Sequence, residues 1–500
     1  MTGNTAPEVR IAGGRLRGGR EGGLAVFRGI PYAEPPVGPL RFAAPRPVPG
    51  WTGVRDALTF GPAAPQGGLS DRTTRAGADW LTINVWSPDL DAALPVMVWI
   101  YGGGYVFGSA DRPEYDGGRL ARDGRVVIVT FDFRLGVEGF AAIGGAPANR
   151  GLLDQVAALE WVRDNIAAFG GDPGRVTVFG ESAGGGSVAA LLAMPRAKGL
   201  FRRAVAQSVP GPFLSPALAR DIGDTIAGEL GLRATVTDLG VVDPGLLTAA
   251  GDAVAEGITA RGDRWGRAAH ASILFAPVVD GDVLPSTPWR ALAEGAGAGV
   301  DLLVGHTRDE QRLFTFMTGM LGRVTAAQAE ETSAIFGAGP HGDVGPEQWY
   351  ELVRSDWLFR MPSLHLAEAQ VDGGGRAFLY ELAWPAPGLG GLLGACHGLD
   401  VPLVFGNLTL GQTAMLLGDP PPADAVALSA VMRDAWTRFA AEGDPGWPAY
   451  DMARRLTQVF DRESAVVPYP EERSRELWRE HSFDPLPLIS EAKTEKKTEA

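Results

Sequence analysis

Four short apolar runs, each stopped by small or polar residues, limit what this chain can fold into. They are LPVMVWIY (94–101), RVVIVTF (125–131), RVTVF (175–179) and RRAVAQS (202–208). Each has the length of a strand and little polar alternation, so each has to be buried on both faces. Between the second and third lies GLLDQVAALEWVRDNIAAFGGDP, whose apolar residues recur at helical spacing before the stop signal Gly170, Gly171 and Pro173. DLLVGH (301–306) and RAFLYEL (376–382) read as later strands of the same kind. Buried strands separated by helices require an α/β chain with a mostly parallel sheet covered on both faces. In such sheets ligands bind at the carboxyl ends of the strands.

Two stretches depart from the pattern. Residues 215–270 and 320–372 read as helical and loop-rich, and the expectation is that they pack together as a cap over the sheet. No internal repeat or linker interrupts the chain, so residues 1–485 read as one domain. The end is different: SEAKTEKKTEA carries Lys493, Lys496 and Lys497, while Lys198 is the sole lysine elsewhere. Charged and without an apolar stripe, residues 486–500 are expected to be a disordered tail.

Composition excludes some partners. A net charge of −14 argues against nucleic acid and anionic membrane surfaces, which demand basic patches. No run approaches the roughly 20 apolar residues of a membrane span, and the first residues lack an apolar signal core. Cys396 is the single cysteine, so no internal disulfide can form. The expectation is a cytoplasmic protein.

Chemistry enters at TVFGESAGGGSV. Gly180-Glu181-Ser182-Ala183-Gly184 fits G-x-S-x-G, in which a sharp strand-to-helix turn lifts a serine hydroxyl above a sheet. A plain turn also needs small residues, but here a buried strand precedes the motif and a small-residue helix follows, as the nucleophile reading requires. Gly102, Gly103 and Gly104 come directly after another buried strand. Glycine N–H groups can approach a developing alkoxide closely because no Cβ intervenes, and a second donor would come from Ala183, the residue after the serine. A phosphate loop is the competing chemistry, yet no G-K-[ST] follows.

The acid and base should follow the serine in that order. All six histidines, His270, His306, His341, His365, His397 and His481, lie beyond Ser182. His306 comes too early, and His481 follows a charged, helix-like stretch. His397, in a glycine-flanked loop after a strand, suits the order best. Asp309 and Glu310 share the loop after 301–306, and spacing does not choose between them.

At this point the motifs FRGIPYAEPPVGPLRFAAP, LTINVWSP, VMVWIYGGGYVFGS, NRGLLDQVAALEWVRDNIAAFGGDPGRVTVFGESAGGGSV, FAPVVDGDVLP, GHTRDE and CHGLDVPLVFGN together resemble the type-B carboxylesterase family, α/β-hydrolases related to cholinesterases. The resemblance spans about residues 9–485. It implies the α/β-hydrolase fold with a helical cap, and hydrolysis of small carboxylic esters through a serine acyl-enzyme, without metal or organic cofactor. It implies Ser182 as nucleophile, Glu310 rather than Asp309 as acid, and His397 as base. Gly103, Gly104 and Ala183 would donate to the oxyanion, with Gly102 and Ser208 in support. A loop of this kind also implies tolerance of bulky, even tertiary, alcohol groups.

Departures qualify the match. Trp80 stands where many members carry a disulfide cysteine, N-Y-R-L-G appears as Asp132-Phe133-Arg134-Leu135-Gly136, and Q-S-G becomes Gln207-Ser208-Val209. The stretch 61–79 holds no aromatic residue, whereas cholinesterases place there a tryptophan that holds quaternary ammonium by cation–π attraction, which argues against choline esters. The other readings are a non-catalytic binding protein on the same fold, and an amide or carbamate hydrolase.

Overall fold

The computed structural model describes residues 6–67, 77–339, 343–412 and 414–489. In chain order its strands are β1 (Glu8–Ile11), β2 (Gly14–Arg17), β3 (Gly19–Glu21), β4 (Leu24–Pro31), β5 (Val54–Asp56), β6 (Thr82–Ser87), β7 (Leu94–Ile100), β8 (Val127–Phe131), β9 (Gly171–Glu181), β10 (Arg203–Gln207), β11 (Asp301–Thr307), β12 (Arg376–Leu382), β13 (Leu456–Phe460) and β14 (Ala465–Pro468). β1, β2 and β5 form a small sheet, and the other eleven form one large sheet in the order β14-β13-β12-β11-β10-β9-β7-β8-β6-β4-β3.

The middle of the large sheet, from β8 through β7, β9, β10, β11 and β12 to β13, is parallel throughout. Antiparallel strands close it at both ends. Val96–Ile100 and Val127–Phe131 are buried along their whole length, as continuous apolar runs require. Helix Arg150–Asn165 ends in a tighter turn at Ile166–Phe169, and Gly170 at φ 76° reverses the chain. A backbone bond from Leu94 N–H to the Gly170 carbonyl then joins this corner to β7.

Topology places the chemistry. From β7 the chain first builds β8 on one side and then crosses to build β9 on the other, so the strand order reverses between β7 and β9. Such a switch point opens a crevice at the carboxyl ends of the strands. Register aligns those ends: Ile100 pairs with Gly180, Glu181 with Gln207, and Gln207 with Gly305. The loops holding Gly102–104, Ser182, Ser208 and Glu310 therefore leave one edge side by side.

The two departing stretches are helical. Pro216–Glu229 packs on Pro244–Glu256, and Ala326–Phe336 packs on Pro346–Ser355. They meet where Arg267 Nε donates to the Ile335 carbonyl at 2.9 Å and Arg354 Nη1 to that of His270 at 3.3 Å. The last helix of the second stretch, Met361–Asp372, instead covers β11 and β12.

Residue 486, expected to open the tail, is instead held in the fold. Leu486 is buried, its N–H bonds the Phe213 carbonyl, and its own carbonyl accepts from Ser215, because an apolar residue there completes the layer beside Leu214. Residues 490–500, residues 68–76 of the stretch 61–79, and His341 lie outside the described residues. Among the described residues no helix is long and apolar enough to cross a membrane.

Candidate active site

Ser182 joins β9 to helix Ala183–Ala193 at φ 57°, ψ −125°. That region is strained for a residue with a Cβ, and such strain collects at functional sites. The flanking glycines permit it by close approach. A Cβ on Gly184 would lie 2.0 Å from the Ile100 carbonyl oxygen, and one on Gly180 2.6 Å from Gly184 backbone atoms. The turn is thus wedged against the end of β7.

The glycine loop lies on the other side of the serine. A Cβ on Gly102 would come within 3.1 Å of Ser182 Cβ. The Gly103 carbonyl accepts from Val106 at 3.0 Å and Phe107 at 3.2 Å. In a trans peptide C=O and N–H point opposite ways, so the Gly104 N–H faces away from that turn. The Ser182 carbonyl likewise accepts from Gly186 at 2.8 Å, which aims the Ala183 N–H back out of the helix start. Among the described residues the N–H groups of Gly103, Gly104 and Ala183 have no hydrogen-bond partner. Asp132 holds the far end of the loop: its Oδ1 accepts from Ala110 N–H at 2.9 Å and lies 3.4 Å from the Tyr101 hydroxyl. Burial pushes its carboxyl up to about 8.

His397 completes a chain of contacts. Its Nε2 is 2.9 Å from Ser182 Oγ and its Nδ1 is 2.5 Å from Glu310 Oε2. Glu310 is fully buried, and its Oε1 accepts from the Ser208 hydroxyl at 2.6 Å and from Thr307 N–H at 2.9 Å. Asp309 faces elsewhere. Its carboxylate accepts from Ala395 N–H at 2.9 Å, and its own N–H donates to the Ala395 carbonyl at 2.9 Å. The neighbouring acids thus divide the work: Glu310 touches the imidazole, and Asp309 ties down the loop that carries it.

Glu181, which sequence reasoning passed over, closes the cluster. Its Oε1 is buried, 3.2 Å from His397 Nε2, and has no hydrogen-bond partner among the described residues. The signal was an acid directly before the serine. Burial pushes Glu181 up to about 8; His397 pulls it down, while Asp400 and Glu310 add to the rise. Burial alone would lower His397, but the Glu181 and Glu310 carboxylates raise it to about 9. A protonated Glu181 no longer attracts a proton to His397, so the two rises compete. Glu181 and His397 as a pair therefore hold a proton to higher pH than the free side chains do. Burial pushes Glu310 up as well, yet the charge of His397 and hydrogen bonds from His397, Ser208 and Thr307 hold it below the usual carboxyl value.

The other described histidines sit apart. His306 is fully buried between the Thr307 carbonyl and the Tyr469 hydroxyl, and burial lowers it to about 3. His365 and His481 flank Phe483 in a separate cleft. Among the described residues no group of three or more His, Cys, Asp or Glu is arranged to hold a metal ion.

A parallel sheet with a switch point, a serine elbow at that point and helices on both faces define an α/β-hydrolase. Comparison with known proteins narrows the class. The carboxylesterase family profile matches residues 5–336. The para-nitrobenzyl esterase of Bacillus subtilis (strain 168) is 38% identical over 487 residues, covering 93% of this chain and 96% of that protein. The phenmedipham hydrolase of Pseudarthrobacter oxydans is 34% identical over 514 residues, covering 93% and 97%. Among solved structures, a Geobacillus stearothermophilus carboxylesterase matches with a TM-score of 0.83 at 36% identity, covering 94% of this chain and 99% of that one. The chain belongs to the carboxylesterase family, and it is a carboxylic-ester hydrolase.

Proposed function

We propose that this enzyme cleaves small carboxylic esters through an acyl-enzyme on Ser182. The observation that carries the reading is the continuous contact from Ser182 Oγ through His397 to Glu310, at 2.9 and 2.5 Å. His397 Nε2 takes the hydroxyl proton as Oγ attacks the ester carbonyl. Glu310 accepts the Nδ1 proton in a hydrogen bond, which leaves Nε2 free as the base and stabilises the imidazolium. The N–H groups of Gly103, Gly104 and Ala183 hold the alkoxide, and they need no reorganisation because they have no partner among the described residues. Gly102 brings the loop against Ser182, and Ser208 orients Glu310. His397 then protonates the leaving alcohol, and a water molecule repeats the sequence on the acyl-enzyme.

Residues 1–485 act in this reading as one catalytic domain, with the helical stretches near 215–270 and 320–372 walling the entrance. A cytosolic setting accords with the single, buried cysteine. Ser182→Ala is the direct test. It should abolish turnover of p-nitrophenyl esters while circular dichroism and melting stay unchanged; near-normal turnover would sink the assignment.

A further inference from the structure

The imidazole of His397 has more holding it than its two hydrogen bonds. The Phe359 ring stacks on it at 4.2 Å between centroids and 27° between planes, and Phe314 stands beside it at 5.2 Å. Phe359 is 4% exposed. It sits in a single π-helical turn, Asp356–Arg360, set between helices Pro346–Ser355 and Met361–Asp372. A π turn widens the helix by one residue and resets the direction of the side chains after it, and such turns concentrate at functional sites.

The turn is anchored by buried charge. Arg360 and Asp356 form an ion pair inside it, and the Trp478 indole N–H also donates to Asp356, at 3.1 Å. Arg360 Nη2 donates to the Arg308 carbonyl at 2.7 Å. Arg308 lies two residues before Glu310. One turn of chain therefore grips the loop of the acid with Arg360 and covers the ring of the base with Phe359. Burying an ion pair costs desolvation, so its presence is better explained by the geometry it fixes than by stability.

His397 needs such support. Gly394 and Gly398, both at positive φ (59° and 76°), flank it closely and leave its loop little intrinsic stiffness. Hydrogen bonds at Nδ1 and Nε2 hold the ring along one axis but leave tilt about that axis open. A stacked ring blocks the tilt. Its π face also attracts the imidazolium formed when the serine gives up its proton.

We propose that Phe359, set in place by the Asp356–Arg360 turn, is a positioning residue that fixes the tilt of His397 and favours its protonated form. This rests on the reading of His397 as the base. The groups facing the ring are Glu310, Glu181 and Asp400, none of which changes on substituting Phe359. Phe359→Leu and Phe359→Met in the full chain are expected to lower kcat for p-nitrophenyl acetate about tenfold while KM shifts less than about twofold. The acid limb of kcat/KM should move to lower pH, because the cation loses a stabilising partner and the free base appears sooner. The low-field proton resonance of the His397 Nδ1–H at acidic pH should broaden. Phe359→Tyr keeps the stack and should restore all three. Unchanged kcat and acid limb in both folded variants, or a change confined to KM, would overturn the proposal. A His397→Gln variant that kept activity would instead overturn the underlying reading of the base.

Discussion

Replacing Glu310 by glutamine removes one charge and leaves size and shape in place, so its effect can be worked out atom by atom. In the native site Oε1 accepts two hydrogen bonds, from the Ser208 hydroxyl and the Thr307 N–H. The Thr307 donor is a backbone group that cannot reverse its role. The carbonyl oxygen of a glutamine must therefore occupy the Oε1 position, which puts its NH2 group where Oε2 stood, against His397 Nδ1. An NH2 group can only donate there, so Nδ1 must lose its proton and Nε2 must carry one. Nε2 then cannot accept the Ser182 proton. A wrong tautomer of this kind costs on the order of 10⁴ in kcat in the Ser-His-Asp arrangement. The assay is steady-state hydrolysis of p-nitrophenyl acetate by Glu310→Gln, with thermal melting to confirm the fold. KM should change little, because the lost function appears only in the transition state. Activity within tenfold of wild type would refute the reasoning, since it would mean that neither the charge of Glu310 nor the tautomer it imposes matters.

Other perturbations have equally definite signs. Glu181→Gln removes one of the carboxylates that raise His397, so the acid limb of the kcat/KM profile should move to lower pH; an unmoved limb would contradict the cluster. Asp132 titrates higher folded than unfolded, so its contribution to stability is complete at acidic pH and is lost as pH rises through about 8. Asp132→Asn should therefore lessen the fall in melting temperature between mildly acidic pH and about pH 8. Gly103→Ala would place a Cβ 2.0 Å from the Phe107 carbonyl oxygen and distort the donors, with an expected kcat loss on the order of 10² to 10³. Gly104→Ala meets open space and pays only for its positive φ, so its kcat loss should be clearly smaller.

What could be read from sequence was what is locally determined. β7, β8 and β9 announced themselves because strands buried on both faces carry unbroken apolar runs. β4 did not: its ladder with β6 shifts register between Phe27 and Ile30, and Gly29 at φ 67° interrupts the run. The final strand pair was equally hidden, since Leu456–Phe460 mixes threonine and glutamine with apolar residues. In the site, Ser182 and the glycine loop were legible because strand, turn and helix are contiguous there. Asp309 and Glu310 were not separable by spacing, because what tells them apart is contact with Ala395 and His397, some 85 residues later in the chain. Phe359 gave no signal at all. An aromatic residue in a helical stretch reads as core, and only the π turn and its ion pair bring it to the imidazole.

In the proposed mechanism Ser182 is a nucleophile activated by His397 and Glu310. Covalent labelling by a fluorophosphonate, read by intact mass and peptide mapping, tests it most directly, because only an activated serine reacts at a useful rate. One adduct per chain is expected, on the peptide containing Ser182, absent from Ser182→Ala and greatly slowed in His397→Gln. An inert wild-type enzyme, or an adduct on any other residue, would contradict it.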